Sequence, residues 1–394
     1  MRIARLEAVP VSVPLHEPFT SALGVQATSD YGIVIAEADD GTIGLGEISL
    51  IWHGSGASLC DTVNGLLAPA VVGADPFGTT RFQETAARLL AFGRHSLAAV
   101  AAVETAMLDL AGKAAGRPVY DLLGGRARER VPLSMSLPIA PVEEVLDRAR
   151  RLVGEGFTTL KVKGGGDHER LVEAVARLRA EFGDGLGIRV DLNMACRPAK
   201  EALRLVRRLE PYGVLSVEQP LPADDVDGMA ELRAASGLPI MADESVWSAA
   251  DAWRVLRAGA ADIVNVYVPE AGGPVQARRI ADMCAAAGAG VAVGSMPELG
   301  IGTAAAAHVA FSSPRLDQPS DVAGHLYHAG DVVRTGLEVR DGFLLPPTGP
   351  GLGVELDHDA LAEYRTDTPG RGVRGAYRSE AADRRTARPA APAP

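Results

Sequence analysis

The chain has 394 residues, of which 47% are hydrophobic and 23% charged, the proportions of a globular protein and not of a disordered one. Lys and Arg number 39 against 50 Asp and Glu, a net charge of −11, which excludes a general nucleic-acid coat because phosphate binding requires a basic surface. Cys60, Cys196 and Cys284 stand far apart with no CxxC pair, so no disulfide framework or zinc cluster is implied and a reducing cytoplasm is the expected setting.

Residues 3–13 alternate apolar and polar side chains and read as a strand, not as a signal peptide. Residues 31–37 and 42–47 read as two more strands, joined by the turn signal Asp39-Asp40-Gly41. In residues 97–115, Val100, Val103, Met107 and Leu110 form one apolar helical face, which Gly116 and Pro118 terminate. Glu104, Asp109 and Lys113 interrupt that run, so it is too short and too charged to span a bilayer, and no membrane partner is expected.

From about residue 131 a short apolar strand, a turn and an amphipathic helix repeat. The expected strands are 131–137, 158–163, 188–191, 214–218, 239–243, 262–267 and 290–295. Alternating strands and helices imply parallel βα units. Seven or eight units over about 190 residues suggest a closed barrel. The Gly164-Gly165-Gly166 run lacks the Lys-Ser/Thr of a phosphate loop and reads as a βα turn. After Ser320 the pattern breaks into Gly/Pro-rich loops, expected to return to the first domain. His325 and His328 there, flanked by glycines, are not expected to hold a metal. Residues 366–394 carry six Arg against three acidic residues and end in a Pro/Ala run, the composition of a disordered tail.

The strands end in Lys163, Asp191, Glu218, Asp243 and Tyr267, each about one βα unit after the last. The C-terminal strand ends of such a barrel converge on one mouth. Three carboxylates there would repel unless a cation sat among them, and oxygen-only ligation suits Mg²⁺, with Mn²⁺ as a substitute. Lys161 and Lys163 are two apart, so both face the interior, where neighbouring positive charge is expected to depress a lysine pKa. Metal, carboxylates and lysines together suit removal of a proton next to a carboxylate, whose enediolate needs concentrated positive charge.

At these residues the sequence resembles the enolase superfamily, within the muconate-lactonizing (mandelate racemase/muconate cycloisomerase-like) subgroup. The matching stretches are Lys161-Val162-Lys163, Asp191-Leu192-Asn193, Glu218-Gln219-Pro220, Asp243-Glu244-Ser245 and Asp262-Ile263-Val264-Asn265, with Gly44-Leu45-Gly46-Glu47 and Gly294-Ser295-Met296-Pro297-Glu298 outside them. The resemblance implies a (β/α)7β TIM-like barrel over 126–324 and an α+β capping domain over 1–125, completed by about 325–365. It implies metal on Asp191, Glu218 and Asp243, with Asn193 in support. Lys163 would be the base, Lys161 an enolate stabiliser, and Glu298 a group near the substrate carboxylate. One position departs: the family pattern ends in lysine where this chain has Tyr267. A phenol is a poorer base than a tuned lysine, which puts two-base racemisation in doubt.

Residues 18–30 and 50–58 are expected to close over the mouth. Phe19, Leu23, Trp52 and His53 in them suit a substrate with some apolar surface. Asp321 falls near the last strand and is expected to contact substrate. The expected activity is that of a cycloisomerase or lyase acting on a small carboxylate, in a homo-oligomer. The alternatives are a racemase or epimerase of an amino-acid derivative, or a non-catalytic carboxylate-binding relative.

Overall fold

A computed structural model describes residues 1–51, 56–90 and 93–366. Trp52, His53 and the expected tail beyond Thr366 lie outside the described residues.

Strands β1 (Ile3–Ser21), β2 (Gly24–Ala38) and β3 (Ile43–Ile48) form an antiparallel sheet. The first two run well past the expected ends. Pro14 and Pro18 suggest a break, yet pairing resumes at Phe19↔Gln26 and continues to Ser21↔Gly24, with the register shift confined between Pro14 and Phe19. An irregularity of this kind is where a strand tolerates proline. The segment at 18–30, expected to close over the mouth, is therefore largely the tip of a β-hairpin.

Helix α1 (Leu97–Ala115) lies against β3. Gly46 permits this approach, since a Cβ there would stand 1.9 Å from the Ala102 carbonyl oxygen. The helix is buried around its circumference from Ala98 to Gly112, not on one face. Its charges are consequently satisfied inside. Asp109 accepts from the Leu45 and Leu352 amides and pairs with Lys113 at 2.7 Å, while Glu104 accepts from Gln83 and the Val275 amide.

The second layer is a parallel sheet of seven strands in sequential order. They are β4 (Met135–Leu137), β5 (Thr159–Lys163), β6 (Gly187–Asp191), β7 (Ser216–Glu218), β8 (Ile240–Ala242), β9 (Ile263–Val266) and β10 (Gly290–Val293). Residues 131–132 leave this sheet and pair antiparallel with Phe343–Leu344. Residues 317–321 close the ring as its eighth stave. Asp317 and Asp321 amides donate to Val291 and Val293 carbonyls on one side, and Ser320 exchanges hydrogen bonds with Pro132 and Ser134 on the other. The result is a (β/α)7β barrel. Asp167, Asp225 and Ser248 cap three of its outer helices, each accepting a first-turn amide, and the glycine run 164–166 is the turn into the first of these.

The chain then returns to the first sheet, where Leu15 bridges His328 and Val11 bridges Arg365. No helix among the described residues is long and apolar enough to cross a membrane. His308, on helix α2 (Gly300–Ser312), joins three segments: its Nδ1 accepts from the Tyr120 amide and its Nε2 donates to the Leu352 carbonyl. Burial holds this imidazole down at about 4. A folded pKa below the unfolded value of about 6.5 means that the stabilisation is complete above pH 6.5 and is lost as pH falls toward 4. The unfolding free energy of the wild type should therefore fall toward that of His308→Asn by about 3 kcal/mol between pH 7 and 4. A gap unchanged with pH in urea titrations would show that the ring is not held neutral.

Candidate active site

The parallel register lines up the strand ends. Lys163 pairs with Asp191, and Asp191 with Glu218, while Glu218 pairs with Met241, two residues before Asp243. Residues two apart share a face, so all four ionisable groups enter the same mouth. Asp191, Glu218 and Asp243 are buried, and each brings a carboxylate oxygen within 4.8 Å of the others. Burial, then the charges of Glu244, Glu218, Glu270 and Asp191, push the Asp243 carboxyl well above the usual range. A divalent cation would relieve that repulsion, and an all-oxygen donor set fits a hard ion.

Lys161 is 2% exposed. Its Nζ lies 2.5 Å from Asp321 Oδ2, 3.4 Å from Glu218 Oε1 and 3.6 Å from Asp191 Oδ2. Burial opposes its charge, but Asp321, Glu218 and Asp191 outweigh it and hold the amine above its ordinary value. This reverses the expected depression for Lys161: its nearest neighbours are carboxylates. Lys163, nearer the opening, places Nζ 2.6 Å from Asp191 Oδ2 and 3.1 Å from Asn193 Oδ1. Asn193 has φ +39°. That turn lets its amide donate to Asp191 Oδ1 (2.9 Å) while Nδ2 donates to Glu244 Oε1 (3.0 Å).

Tyr267 follows β9. Its hydroxyl donates to Asp243 Oδ2 at 3.2 Å and accepts from Asn265 Nδ2 at 3.3 Å. Gly294 makes room for the ring, since a Cβ there would lie 2.3 Å from ring carbons. Burial and then Asp243 raise the phenol pKa well above its ordinary value, so the group stays protonated at neutral pH.

Asp321 lines the cleft, but both its oxygens are engaged: Oδ2 by Lys161 and Oδ1 by Arg189 at 2.8 Å. Glu298 is buried and turned into its own loop, accepting from the Met296 amide and the Ser295 hydroxyl. Ser295 and Met296, not Glu298, line the cleft. Phe19 lines it from the hairpin, with its ring edge-on to Tyr327 at 6.0 Å. The structure thus brings Lys161, Lys163, Asp191, Asn193, Glu218, Asp243, Tyr267 and Asp321 together, with Phe19 above them.

The sequence reading assigns no role to two residues of this cluster, Arg189 and, although it stands in a matching stretch, Asn265. Arg189 is fully buried, with Nη1 on Asp321 Oδ1 and Nη2 on Glu218 Oε2, both at 2.8 Å. Its signal was available: it stands two residues before Asp191 in an otherwise apolar strand and must share that residue's face. Asn265 donates to Glu218 Oε1 at 3.0 Å. It too lies two residues before a strand-end residue, Tyr267.

Comparison with known proteins matches the chain to two family models. Residues 3–124 match the mandelate racemase / muconate lactonizing enzyme N-terminal domain, and residues 144–360 match the enolase C-terminal domain-like family. The chain is 31% identical to the N-succinyl-L-Arg/Lys racemase of Bacillus cereus over 366 residues, covering 92% of this chain and 98% of that protein. It is 33% identical to the L-Ala-D/L-Glu epimerase of Bacillus subtilis over 360 residues, covering 90% and 97%. The solved muconate lactonizing enzyme of Pseudomonas fluorescens, complexed with muconolactone, superposes with a TM-score of 0.88 at 31% identity, covering 93% of this chain and 99% of that one.

Proposed function

The chain belongs to the mandelate racemase/muconate lactonizing enzyme family of the enolase superfamily and is an enzyme, and from that premise we propose that it removes the proton next to the carboxylate of a small acid and carries the resulting enolate forward as a cycloisomerase or lyase. The observation that carries this reading is the meeting of Lys163 with three buried carboxylates at one barrel mouth. Asp191, Glu218 and Asp243 would hold Mg²⁺, or Mn²⁺ in its place. When bound, that ion supplies Lewis acidity to the developing enolate oxygens. Lys163 takes the proton. Lys161, kept charged by its carboxylate neighbours, offers a fixed cation to the developing negative charge. Arg189 and Asp321 hold Lys161 and Glu218 in place. Residues 126–324 form the catalytic barrel in this reading, with 1–125 and 325–365 as its cap, and the three free, buried cysteines suit a cytoplasmic setting.

Tyr267 is a positioning group in this reading. Its proton points at Asp243, so proton chemistry is one-sided, which favours a cycloisomerase or lyase. A racemase or epimerase, the activity named for two of the relatives above, would need a second proton donor. The test is a carboxylate library in D2O, with Mg²⁺ and after chelation. An acid should exchange its α-proton only with metal present, and deuterium should enter from one face. Tyr267→Phe should keep that exchange within about tenfold, or about 1.4 kcal/mol of barrier. Inversion of the α-carbon, lost in Tyr267→Phe, would establish the epimerase instead. Metal-independent exchange would overturn the reading altogether.

A further inference from the structure

We propose that the substrate is a monocarboxylate whose far end, away from the reacting carbon, is apolar and uncharged; this rests on the enolate reading above. The cleft is sharply divided in its chemistry. Its floor carries Lys161, Lys163, Asn193, Asp243, Tyr267 and Asp321. Its walls carry Leu15, Phe19, Leu23, Ile51, Met296 and Tyr327, contributed by the hairpin, the strand exit after β3 and the barrel loops, with Ser136 and Ser295 as uncharged polar exceptions. Among the described residues, no wall side chain bears a charge.

Among the described residues, the only lining cations are Lys161 and Lys163, and carboxylates already hold both. Among the described residues, a second carboxylate on the substrate would find no free cation at the apolar walls to offset its desolvation. A distal ammonium fares no better, because the lining acids Asp243 and Asp321 sit in the floor, one with the metal-ligand cluster and the other between Lys161 and Arg189.

Arg189 is buried against Asp321 and Glu218 and does not line the cleft, and two further arginines are kept apart from it. Arg148 and Arg151 line a neighbouring cleft, where both pair with Glu17, at 2.9 and 3.3 Å. Phe19 and Tyr327 line both clefts, and their edge-to-face contact forms the partition between them. The Tyr327 hydroxyl is fixed by accepting from the Ser136 amide at 2.8 Å. An alkyl or aryl tail, by contrast, gains from leaving water against these walls.

Three acids of equal chain length test this with the Mg²⁺-loaded enzyme: hexanoate, adipate and 6-aminohexanoate. Calorimetry should show hexanoate bound at least about tenfold more tightly than either of the others, or about 1.4 kcal/mol. Leu23→Arg places a cation in the wall and should shift the preference toward adipate by at least about tenfold, whereas Leu23→Met should not. Adipate or 6-aminohexanoate binding as tightly as hexanoate would overturn the proposal, and so would the absence of hexanoate binding. Exchange of α-protons in D2O separates the two readings. If adipate exchanges and hexanoate does not, the apolar preference falls and the enolate chemistry stands. If hexanoate binds best but no acid in the library exchanges, the enolate chemistry falls and the preference stands.

Discussion

Lys163→Ala should lower metal-dependent α-proton exchange by about 10²- to 10⁴-fold, the range a positioned general base contributes, with folding and metal binding intact. Lys163 is the floor lysine nearer the opening, and its Nζ donates to Asp191 and Asn193. Asp191 also has Lys161 at 3.6 Å and the Asn193 amide at 2.9 Å, so it does not lose all its partners. Lys161→Ala should behave differently. It strips Asp321 of a 2.5 Å ion pair inside the barrel and should lower both stability and exchange. Thermal unfolding beside the exchange rate tells the two lysines apart. Exchange at the wild-type rate in Lys163→Ala would remove it from the mechanism.

Glu218→Gln should abolish metal binding and cost about 3 kcal/mol of stability. Three side chains converge on this carboxylate: Lys161, Arg189 and Asn265. Burial opposes its charge, but Lys161 and Arg189 outweigh it and hold the carboxyl at about 2. A folded pKa below the unfolded one means that its stabilising share is complete above pH 4.5 and is lost as pH falls toward 2. In Glu218→Gln that acid limb should flatten, and Arg189 and Lys161 are left facing one another without the charge between them. Calorimetric titration with Mg²⁺ checks the first effect and urea unfolding across pH the second. Metal binding as tight as in the wild type would remove Glu218 from the ligand set.

The barrel and the floor of the cleft were legible because each depends on a short-range rule. A βα repeat sets the strand count, and a polar residue at each strand end marks the mouth. Alternation within a strand assigns Lys161 and Lys163 to one face. What escaped depends on partners distant in sequence. Alternation puts Arg189 on the face of Asp191, but only the register sets it beside Lys161. The engagement of Asp321 could not be foreseen, because its stave has no strand pattern and borrows its hydrogen bonds from Val291, Val293, Pro132 and Ser134. The hairpin tip was hidden by Pro14 and Pro18. Glu298 matched a motif, but the motif carries no information about which way a carboxylate turns within the six-residue loop between β10 and α2.

The stave at 317–321 ties two properties together. It is the seam at which the first and last strands meet, and it carries the carboxylate that holds Lys161 and Arg189. Parting the seam would expose backbone groups on both neighbouring strands and at the same moment take from Lys161 and Arg189 the carboxylate they share, leaving Glu218 as the acid that still holds both. Small local openings along it are therefore disfavoured twice over. The site has no inexpensive excursion of its own: its lifetime in the assembled state is that of the closed ring.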